Sequence, residues 1–249
     1  MTFYVATSKA DGLAQIALSY YIEVVRSSGR NHFLTTQEIP LLEELGCVKK
    51  MLPQQQITRP VLEELIQPRI SLVSLPWADP FTGVIHPVHD LAELCLAKGI
   101  VLHIDVTDVL GCLDFRFEDL GCDFASFEHG VWTQRKLRSF HPGLFPMTLL
   151  ERAWDQIDFM TTEVARLREE FENFFPEAEV VGRNLERVPH ITAMKFPGVH
   201  PEALAFLLRR RGIEIQENGE AVSFKIRDGG MKDIVKNCVQ KLQAISYAL

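Results

Sequence analysis

The stretch I-V-L-H-I-D-V-T-D-V-L-G at Ile100–Gly111 decides the fold of this chain. It is an apolar run that ends in a carboxylate, a hydroxyl and a second carboxylate. An unbroken run of β-branched and aliphatic residues is typical of a parallel strand that is covered on both faces. The stretch therefore predicts a buried strand, and its polar end falls where open α/β sheets place their ligands.

Asp105, near the end of this run, is the residue of greatest interest. Burying a carboxylate is costly unless a cation or a hydrogen-bond donor contacts it, so we expect Asp105 to have a partner. Two interpretations are open at this point. Asp105 either belongs to a functional site at the strand tip or caps a following helix.

The segments before this stretch predict a second strand and a connecting helix of the same sheet. Arg69–Pro76 predicts another buried strand, and Pro87–Lys98 predicts a helix that Gly99 ends. A strand-helix-strand unit of this length, here residues 70–105, has a right-handed crossover. The sheet is therefore predicted to be parallel in this region.

A second strand tip adds polar side chains to that of Asp105. Cys122–Gly130 predicts a strand that ends in Glu128 and His129, and Asp108 follows shortly after Asp105. Because neighbouring parallel strands end at one edge of a sheet, these four side chains are expected to face one crevice. They are candidate acid/base groups or ligands of an oxygen-rich metal site.

The first strand and helix contain a candidate anion site. Thr2–Thr7 predicts a strand, and Leu13–Gly29 has apolar residues at helical spacing. A turn with Thr7 and Ser8 at the start of a helix offers hydroxyls and free backbone N–H groups to a phosphate. Thr and Ser are also common N-cap residues, so an ordinary helix cap is the alternative.

The second half of the chain has a different succession of elements. Met147–Phe175 predicts a long amphipathic helix, which Pro176 ends. The later strand and helix patterns indicate a small α+β domain. The predicted organisation is a large α/β domain over residues 1–146, with a mainly parallel sheet and helices on both faces. Residues 147–249 are predicted to form a long connecting helix and the small C-terminal α+β domain.

Composition limits the class of protein. The 249 residues carry a net charge of −7, which does not suit binding to nucleic acid through its phosphates, and 47% of them are hydrophobic, enough for a sizeable core. The five cysteines form no C-x-x-C pair, so free thiols are predicted rather than a zinc site or a disulfide framework. With no signal-peptide pattern and no apolar run of membrane-spanning length, a soluble cytoplasmic protein is predicted.

Four motifs occur together in a recognisable order: A-T-S-K-A-D (residues 6–11), V-S-L-P-W-A-D-P-F-T-G-V-I-H-P-V (73–88), H-I-D-V-T-D-V-L-G (103–111) and D-F-A-S-F-E-H-G (123–130). They resemble the class V aminotransferase and cysteine desulfurase family of fold-type I pyridoxal-phosphate enzymes. The later segments P-H-I-T-A-M-K-F (189–196) and V-S-F-K-I (222–226) are similar to the small domain of that family. The resemblance implies the fold-type I architecture over most of the chain.

The resemblance also implies roles for several residues. Asp105 matches the aspartate that keeps the pyridine nitrogen of the cofactor protonated. Thr7, next to Ser8, lies in the loop that binds the cofactor phosphate. Asp108 takes the place of a glutamine or histidine beside the phenolic oxygen, where a carboxylate repels a phenolate. Pyridoxal phosphate is implied as cofactor by this resemblance only.

The sequence departs from the family pattern at the positions of covalent chemistry. The catalytic lysine of the family closes an S-x-H-K motif, and the matching positions here are Gly130 and Val131. Without that amine, covalent binding of the cofactor is not expected. Glu128 replaces a phosphate-binding serine, and Ser223 replaces the arginine that binds the substrate carboxylate. The short segment E-N-G-E at 217–220 leaves no loop for a nucleophilic cysteine.

Three hypotheses on function follow. The first is a degenerate family member that acts as a non-catalytic binding or partner subunit. The second is an enzyme with a mechanism independent of pyridoxal phosphate, using Asp105, Asp108, Glu128 and His129 as acid/base or metal groups. The third is weak residual cofactor binding or family activity.

A partner chain is expected as well. The leading part of the family's large domain has no counterpart in this sequence, which predicts an uncovered apolar surface. A homodimer, or a heterodimer with a full-length pyridoxal-phosphate-dependent relative, is expected to cover that surface.

Overall fold

The chain divides into two compact units. The computed structural model describes residues 2–135, 161–226 and 230–246. The large unit comprises Met1–Trp77 and His86–Asp158, and the small unit comprises Ala78–Ile85 and Phe159–Leu249. The predicted boundary at residues 146 and 147, like the first part of the helix predicted from Met147, lies outside the described residues.

A seven-stranded sheet forms the centre of the large unit, in the order β1-β7-β6-β5-β4-β2-β3. Its strands are β1 Thr2–Val5, β2 His32–Thr35, β3 Val48–Met51, β4 Ile70–Pro76, β5 Val101–Asp105, β6 Phe124–Phe127 and β7 Gly130–Thr133. The neighbouring strands from β3 to β6 pair in parallel, and β7 is antiparallel to both β6 and β1. The strand-helix-strand unit predicted over residues 70–105 is present.

Helices flank this sheet. They are α1 Lys9–Tyr20, α2 Arg26–Ser28, α3 Pro40–Glu44, α4 Arg59–Leu65 and α5 Val88–Lys98, with a π-helical turn at Tyr21–Val25 and a 3₁₀ turn at Phe117–Leu120. Ile16 of α1 and Leu42 of α3 share one core with Val101 of β5, and α5 packs against β5. The predicted α/β class with a mainly parallel sheet is confirmed. No helix in the described ranges combines the length and apolar character needed to cross a membrane.

Strand β7 is the element of this sheet that the sequence pattern does not reveal. Phe127 and Gly130 are partners in an antiparallel hairpin, so Glu128 and His129 form its turn. Val131 and Trp132 are both buried. The strand has only four residues and directly follows a polar turn, so its pattern is too short to identify, which is why V-W-T is not predicted as a strand.

The small unit has a four-stranded antiparallel sheet in the order β10-β11-β9-β8. Its elements are α6 Thr161–Asn173, β8 Glu179–Val180, β9 Ile191–Lys195, α7 Pro201–Arg209, β10 Ile215–Glu217, β11 Val222–Lys225 and α8 Lys232–Ser246. Phe171, Met194, Leu204, Phe224 and Val235 are central to its core. The unit has the predicted α+β composition.

The segment Ala78–Ile85 belongs to the small unit through a close backbone approach. The backbone N–H of Val188 donates to the carbonyl of Gly83 at 2.8 Å. Gly83 has φ +76°, and a Cβ atom there would lie 3.0 Å from both the Cβ and the carbonyl oxygen of Ile191. Only glycine combines that backbone conformation with so close an approach.

A buried ion pair ties α6 to the segment before β9. Arg187 donates to both carboxylate oxygens of Glu172, at 2.9 and 3.2 Å, and Thr192 Oγ1 donates to Glu172 at 2.7 Å. The side chains of Arg187 and Glu172 are 5% and 6% exposed. Burial acts to raise the pKa of Glu172, but the bonds from Arg187 and Thr192 outweigh it, so the pKa is lowered.

The variant Arg187→Met is expected to lower the free energy of unfolding by about 3 kcal/mol, the low end for breaking a buried ion pair. Glu172 then stays buried and keeps only the more distant Arg168, at 3.6 Å, as its counter-charge. The matched control is Arg166→Met, since Arg166 forms exposed ion pairs with Glu163 and Glu170 of the same helix. Such pairs contribute under about 1 kcal/mol. Urea unfolding followed by circular dichroism measures both variants, and equal losses would contradict the prediction.

His103 lies at the centre of the large sheet. Its Nδ1 is 2.8 Å from Ser74 Oγ in β4, and its Nε2 is 2.8 Å from Ser126 Oγ in β6. The ring is fully buried. Burial lowers the pKa of His103 to about 4, while Asp105 acts to raise it and Lys9 to lower it.

The protein is expected to lose stability as the pH falls from about 7.5 to about 5. The unfolded chain protonates His103 near its ordinary pKa of 6.5, whereas the folded protein does so only near 4, so acid favours unfolding. These values correspond to a loss of about 2 kcal/mol over that interval.

Urea unfolding at the two pH values measures this loss. His103→Asn is expected to reduce the pH dependence, whereas His129→Asn, which removes an exposed imidazole, is expected to keep it. The prediction fails if both variants show the same pH dependence as the unchanged protein.

Candidate functional site

Asp105 ends β5 and has a cationic partner from the start of α1. The Nζ atom of Lys9 lies 2.5 Å from Oδ2 of Asp105. The side chain of Asp105 is 4% exposed and that of Lys9 is 36% exposed. The ammonium group therefore supplies the counter-charge that a buried carboxylate requires. The sequence predicts that Asp105 has a partner but does not identify it as Lys9.

The second oxygen of Asp105 is held by the turn that follows β5. Oδ1 accepts hydrogen bonds from the backbone N–H of Thr107 at 3.0 Å and from its hydroxyl at 2.6 Å. This is the Asx-turn arrangement that Asp favours at the start of a turn. Asp105 thus orders a turn rather than capping a helix, and both of its carboxylate oxygens are engaged.

The predicted phosphate cradle at the start of α1 holds a side chain of the same helix. The backbone N–H and the hydroxyl of Thr7 both donate to Oδ2 of Asp11, at 2.9 and 3.0 Å. Ser8 is the N-cap, and its hydroxyl oxygen accepts from the Asp11 N–H at 3.2 Å. The bond from the Thr7 N–H is the main reason that the pKa of Asp11 is lowered. These reciprocal contacts resemble a capping box.

Lys9 and Asp11 are the two residues of this site that the sequence interpretation missed. A signal was available for Asp11, because S-x-x-D before an apolar run is a capping-box signature. The contact between Lys9 and Asp105 has no such signal. It exists because α1 packs across β6 and β7, so that its first turn reaches the end of β5.

Glu128 and His129 do not join the contacts around Asp105. Both are exposed in the turn between β6 and β7, and in the described parts of the chain neither makes a side-chain hydrogen bond or ion pair with Asp105. The backbone carbonyl of His129 instead accepts from the N–H of Ala6 at 2.9 Å, which ties the turn to the end of β1. Asp108 lies half-buried in the turn after β5.

A metal site is not formed by these side chains. Over residues 2–135, 161–226 and 230–246, no group of three or more His, Cys, Asp and Glu side chains is placed to hold a metal ion.

Gly130 and Val131, the two positions that the resemblance aligns with the family's lysine, lie in β7. Val131 is fully buried, pairs with Tyr4 of β1 and packs in the core beneath α1. A Cβ atom on Gly130 would lie 2.4 Å from Cζ of Phe3 and 2.5 Å from Cζ of Phe127. A side chain at position 130 therefore requires both aromatic rings to move.

Two further positions with implied roles lie in the small unit. Ser223 is 4% exposed, and its hydroxyl donates to the carbonyl of Phe81. A tight turn joins β10 and β11, in which Asn218 Oδ1 accepts two backbone N–H bonds at 3.1 and 3.0 Å. Cys238 is buried in α8, where its Sγ lies 2.6 Å from Nη1 of Arg211.

The residues present do not fit pyridoxal phosphate in the position that the resemblance implies. Asp105, the expected partner of the pyridine nitrogen, already has Lys9 as its cation. Thr7, the expected phosphate ligand, already donates to Asp11. A phosphate at the same donors would face the negative charge of Asp11 at close range.

Comparisons with known proteins agree with the family resemblance. Residues 46–129 match the family model "Aminotransferase class-V". A cysteine desulfurase of Sinorhizobium fredii (strain NBRC 101917 / NGR234) is 25% identical over 194 residues, which are 65% of this chain and 50% of that protein. A putative cysteine desulfurase NifS of Bacillus subtilis (strain 168) is 32% identical over 108 residues, 39% of this chain and 27% of that protein. The chain spans about half the length of the first of these relatives.

Solved structures show the same fold. A NifS-like protein superposes with a TM-score of 0.76 at 16% identity, over 99% of this chain and 83% of that chain. DndA from Streptomyces lividans superposes with a TM-score of 0.69 at 19% identity, over 90% of this chain and 82% of that chain. In sequence, this chain is similar to the class V aminotransferases over residues 46–129 and to cysteine desulfurases, and it shares the fold of a NifS-like protein.

Proposed function

We propose that this protein is a cysteine desulfurase-like chain that has lost Schiff-base chemistry and acts as a binding or partner subunit. The observation that carries the proposal is the environment of Gly130 and Val131 in β7. Neither residue has an amine, and both are enclosed by the fold. Lys136, the next lysine along the chain, lies outside the described residues.

The surroundings of these two positions also oppose a lysine there. At position 131 the side chain enters the core beside Tyr4 and α1, where an unpaired ammonium group is costly. At position 130 the rings of Phe3 and Phe127 occupy the space of the first side-chain carbon. A single substitution therefore does not restore an amine without repacking the hairpin.

Four of the five cysteines provide a second line of support. Burial raises the pKa of Cys95 and Cys122 to about 12 and also raises the pKa of Cys47. A thiol attacks as its thiolate, so these three are poor nucleophiles at neutral pH. Cys238 is buried in α8, and the tight turn between β10 and β11 contains no cysteine.

Substrate recognition gives a third line of support. The resemblance places a carboxylate-binding arginine at position 223, but Ser223 is neutral and its hydroxyl donates to the carbonyl of Phe81. A serine cannot supply the charge or the two parallel N–H donors with which arginine binds a carboxylate. Loss of the amine, the nucleophile loop and the arginine together favours a role that does not depend on turnover.

We propose association as that role, either as a homodimer or with a full-length pyridoxal-phosphate-dependent relative. The sequence still specifies two packed cores but lacks the amine, the nucleophile loop and the arginine. This combination is expected where folding and binding remain under selection but turnover does not. Sedimentation of the protein alone, and mixed with a cysteine desulfurase of the same cell, tests this role. A monomer in both experiments would contradict it.

Incubation with pyridoxal phosphate followed by borohydride reduction is expected to give no adduct between Ser126 and Thr133, because this segment offers no amine. Peptide mass mapping measures the adduct, and a full-length cysteine desulfurase treated in parallel is the positive control. L-Cysteine, supplied together with a thiol reductant that would cleave a persulfide, is likewise expected to yield no sulfide. A stoichiometric adduct in that segment, or release of sulfide, would overturn the proposal.

A further inference from the structure

We infer that Lys9 and Asp11 act as internal ligands that fill the cofactor position of this fold with the protein's own side chains. The inference concerns the same site as the proposed function and rests on it for that location. It adds that non-covalent binding is blocked as well, because both charged anchors of the site are already satisfied. The site is thereby complete in the absence of cofactor.

At Asp105, the ammonium group of Lys9 takes the place of the protonated ring nitrogen of the cofactor. A carboxylate that is 4% exposed requires a positive partner, and a protonated ring nitrogen is the partner that the resemblance implies. Here the ammonium group of Lys9 lies 2.5 Å from Oδ2, while Thr107 holds Oδ1 with two hydrogen bonds. A second cation would have to displace Lys9 before it could contact Asp105.

At Thr7, the carboxylate of Asp11 takes the place of the cofactor phosphate. The start of the 12-residue helix α1 favours negative charge, and Thr7 presents a backbone N–H and a hydroxyl there. Both groups donate to one oxygen of Asp11. A phosphate would have to compete with a covalently attached carboxylate for the same donors and would also be repelled by it.

Capping alone does not account for this arrangement. A capping box explains why Asp11 returns to the start of its helix, but it places no requirement on Lys9. Both side chains come from the first turn of α1, and together they present a cation at Asp105 and an anion at Thr7. This is the charge pattern of a ligand that combines a protonated ring nitrogen with a phosphate.

The test uses pyridoxamine 5′-phosphate, which has the ring nitrogen and the phosphate but no aldehyde, so that binding does not depend on a lysine amine. We expect no measurable binding to the unchanged full chain by isothermal titration calorimetry. The double variant Lys9→Met with Asp11→Ala is expected to bind at least tenfold more tightly, and the compound is expected to raise its melting temperature.

The matched control is the double variant Lys49→Met with Asp79→Ala. Lys49 forms exposed ion pairs with Glu38 and Glu43 in the large unit, and Asp79 accepts three hydrogen bonds from its own turn in the small unit. The control thus removes one lysine ion pair and one turn-forming carboxylate, and the hydrogen bonds and ion pairs given above for these two side chains involve neither Asp105 nor Thr7. Its binding is expected to equal that of the unchanged protein.

A more conservative variant keeps the test decisive if the double variant does not fold. Asp11→Asn retains a side-chain acceptor for Thr7 but removes the negative charge, so it is expected to bind inorganic phosphate at least threefold more tightly than the unchanged protein. Lys9→Arg keeps the cation at Asp105 and is expected to exclude pyridoxamine 5′-phosphate as the unchanged protein does.

Three outcomes would overturn the inference. They are tight binding of pyridoxamine 5′-phosphate by the unchanged protein, equal binding by the site variants and the control, and a borohydride-trapped pyridoxal-phosphate adduct on Lys9. None of these concerns the segment from Ser126 to Thr133. An adduct in that segment would overturn the proposed function instead, so failures of the two proposals are distinguishable.

Discussion

The ion pair between Lys9 and Asp105 is the interaction on which the candidate site depends. A carboxylate at the buried end of a central strand requires a counter-charge, and in this protein the start of α1 supplies it. The contact holds the first turn of α1 at the end of β5. Thr7, Ser8 and Asp11 meet in the same turn through local capping contacts, so the ion pair brings this turn to the end of the central strand.

The hairpin of β6 and β7 is the second constraint on the site. Its antiparallel pairing puts Glu128 and His129 in an exposed turn and directs Val131 into the core. Val131, which the resemblance aligns with a catalytic lysine, is therefore a packing position here. The hairpin fixes the end of β6 and the start of β7, and the ion pair fixes the end of β5 and the start of α1.

Much of the large unit follows from local patterns. The apolar run at Val101–Asp105 and the helix that Gly99 ends are visible in the sequence, because burial and chirality restrict what such segments can form. The four-residue strand β7 is not visible, since so short a run after a polar turn shows no clear periodicity. Asp11 lies between these cases, because its capping-box spacing is local and was available in the sequence.

The sequence by itself determined the α/β class, the family resemblance and the need of Asp105 for a partner. Each depends on residue types and short spacings, which are properties of neighbouring positions along the chain. The tertiary structure decided that Lys9 is that partner and that Glu128 and His129 stay outside the contacts of Asp105. Such contacts depend on how helices cross a sheet and which strands pair, and side chains far apart in sequence meet only when that packing is complete.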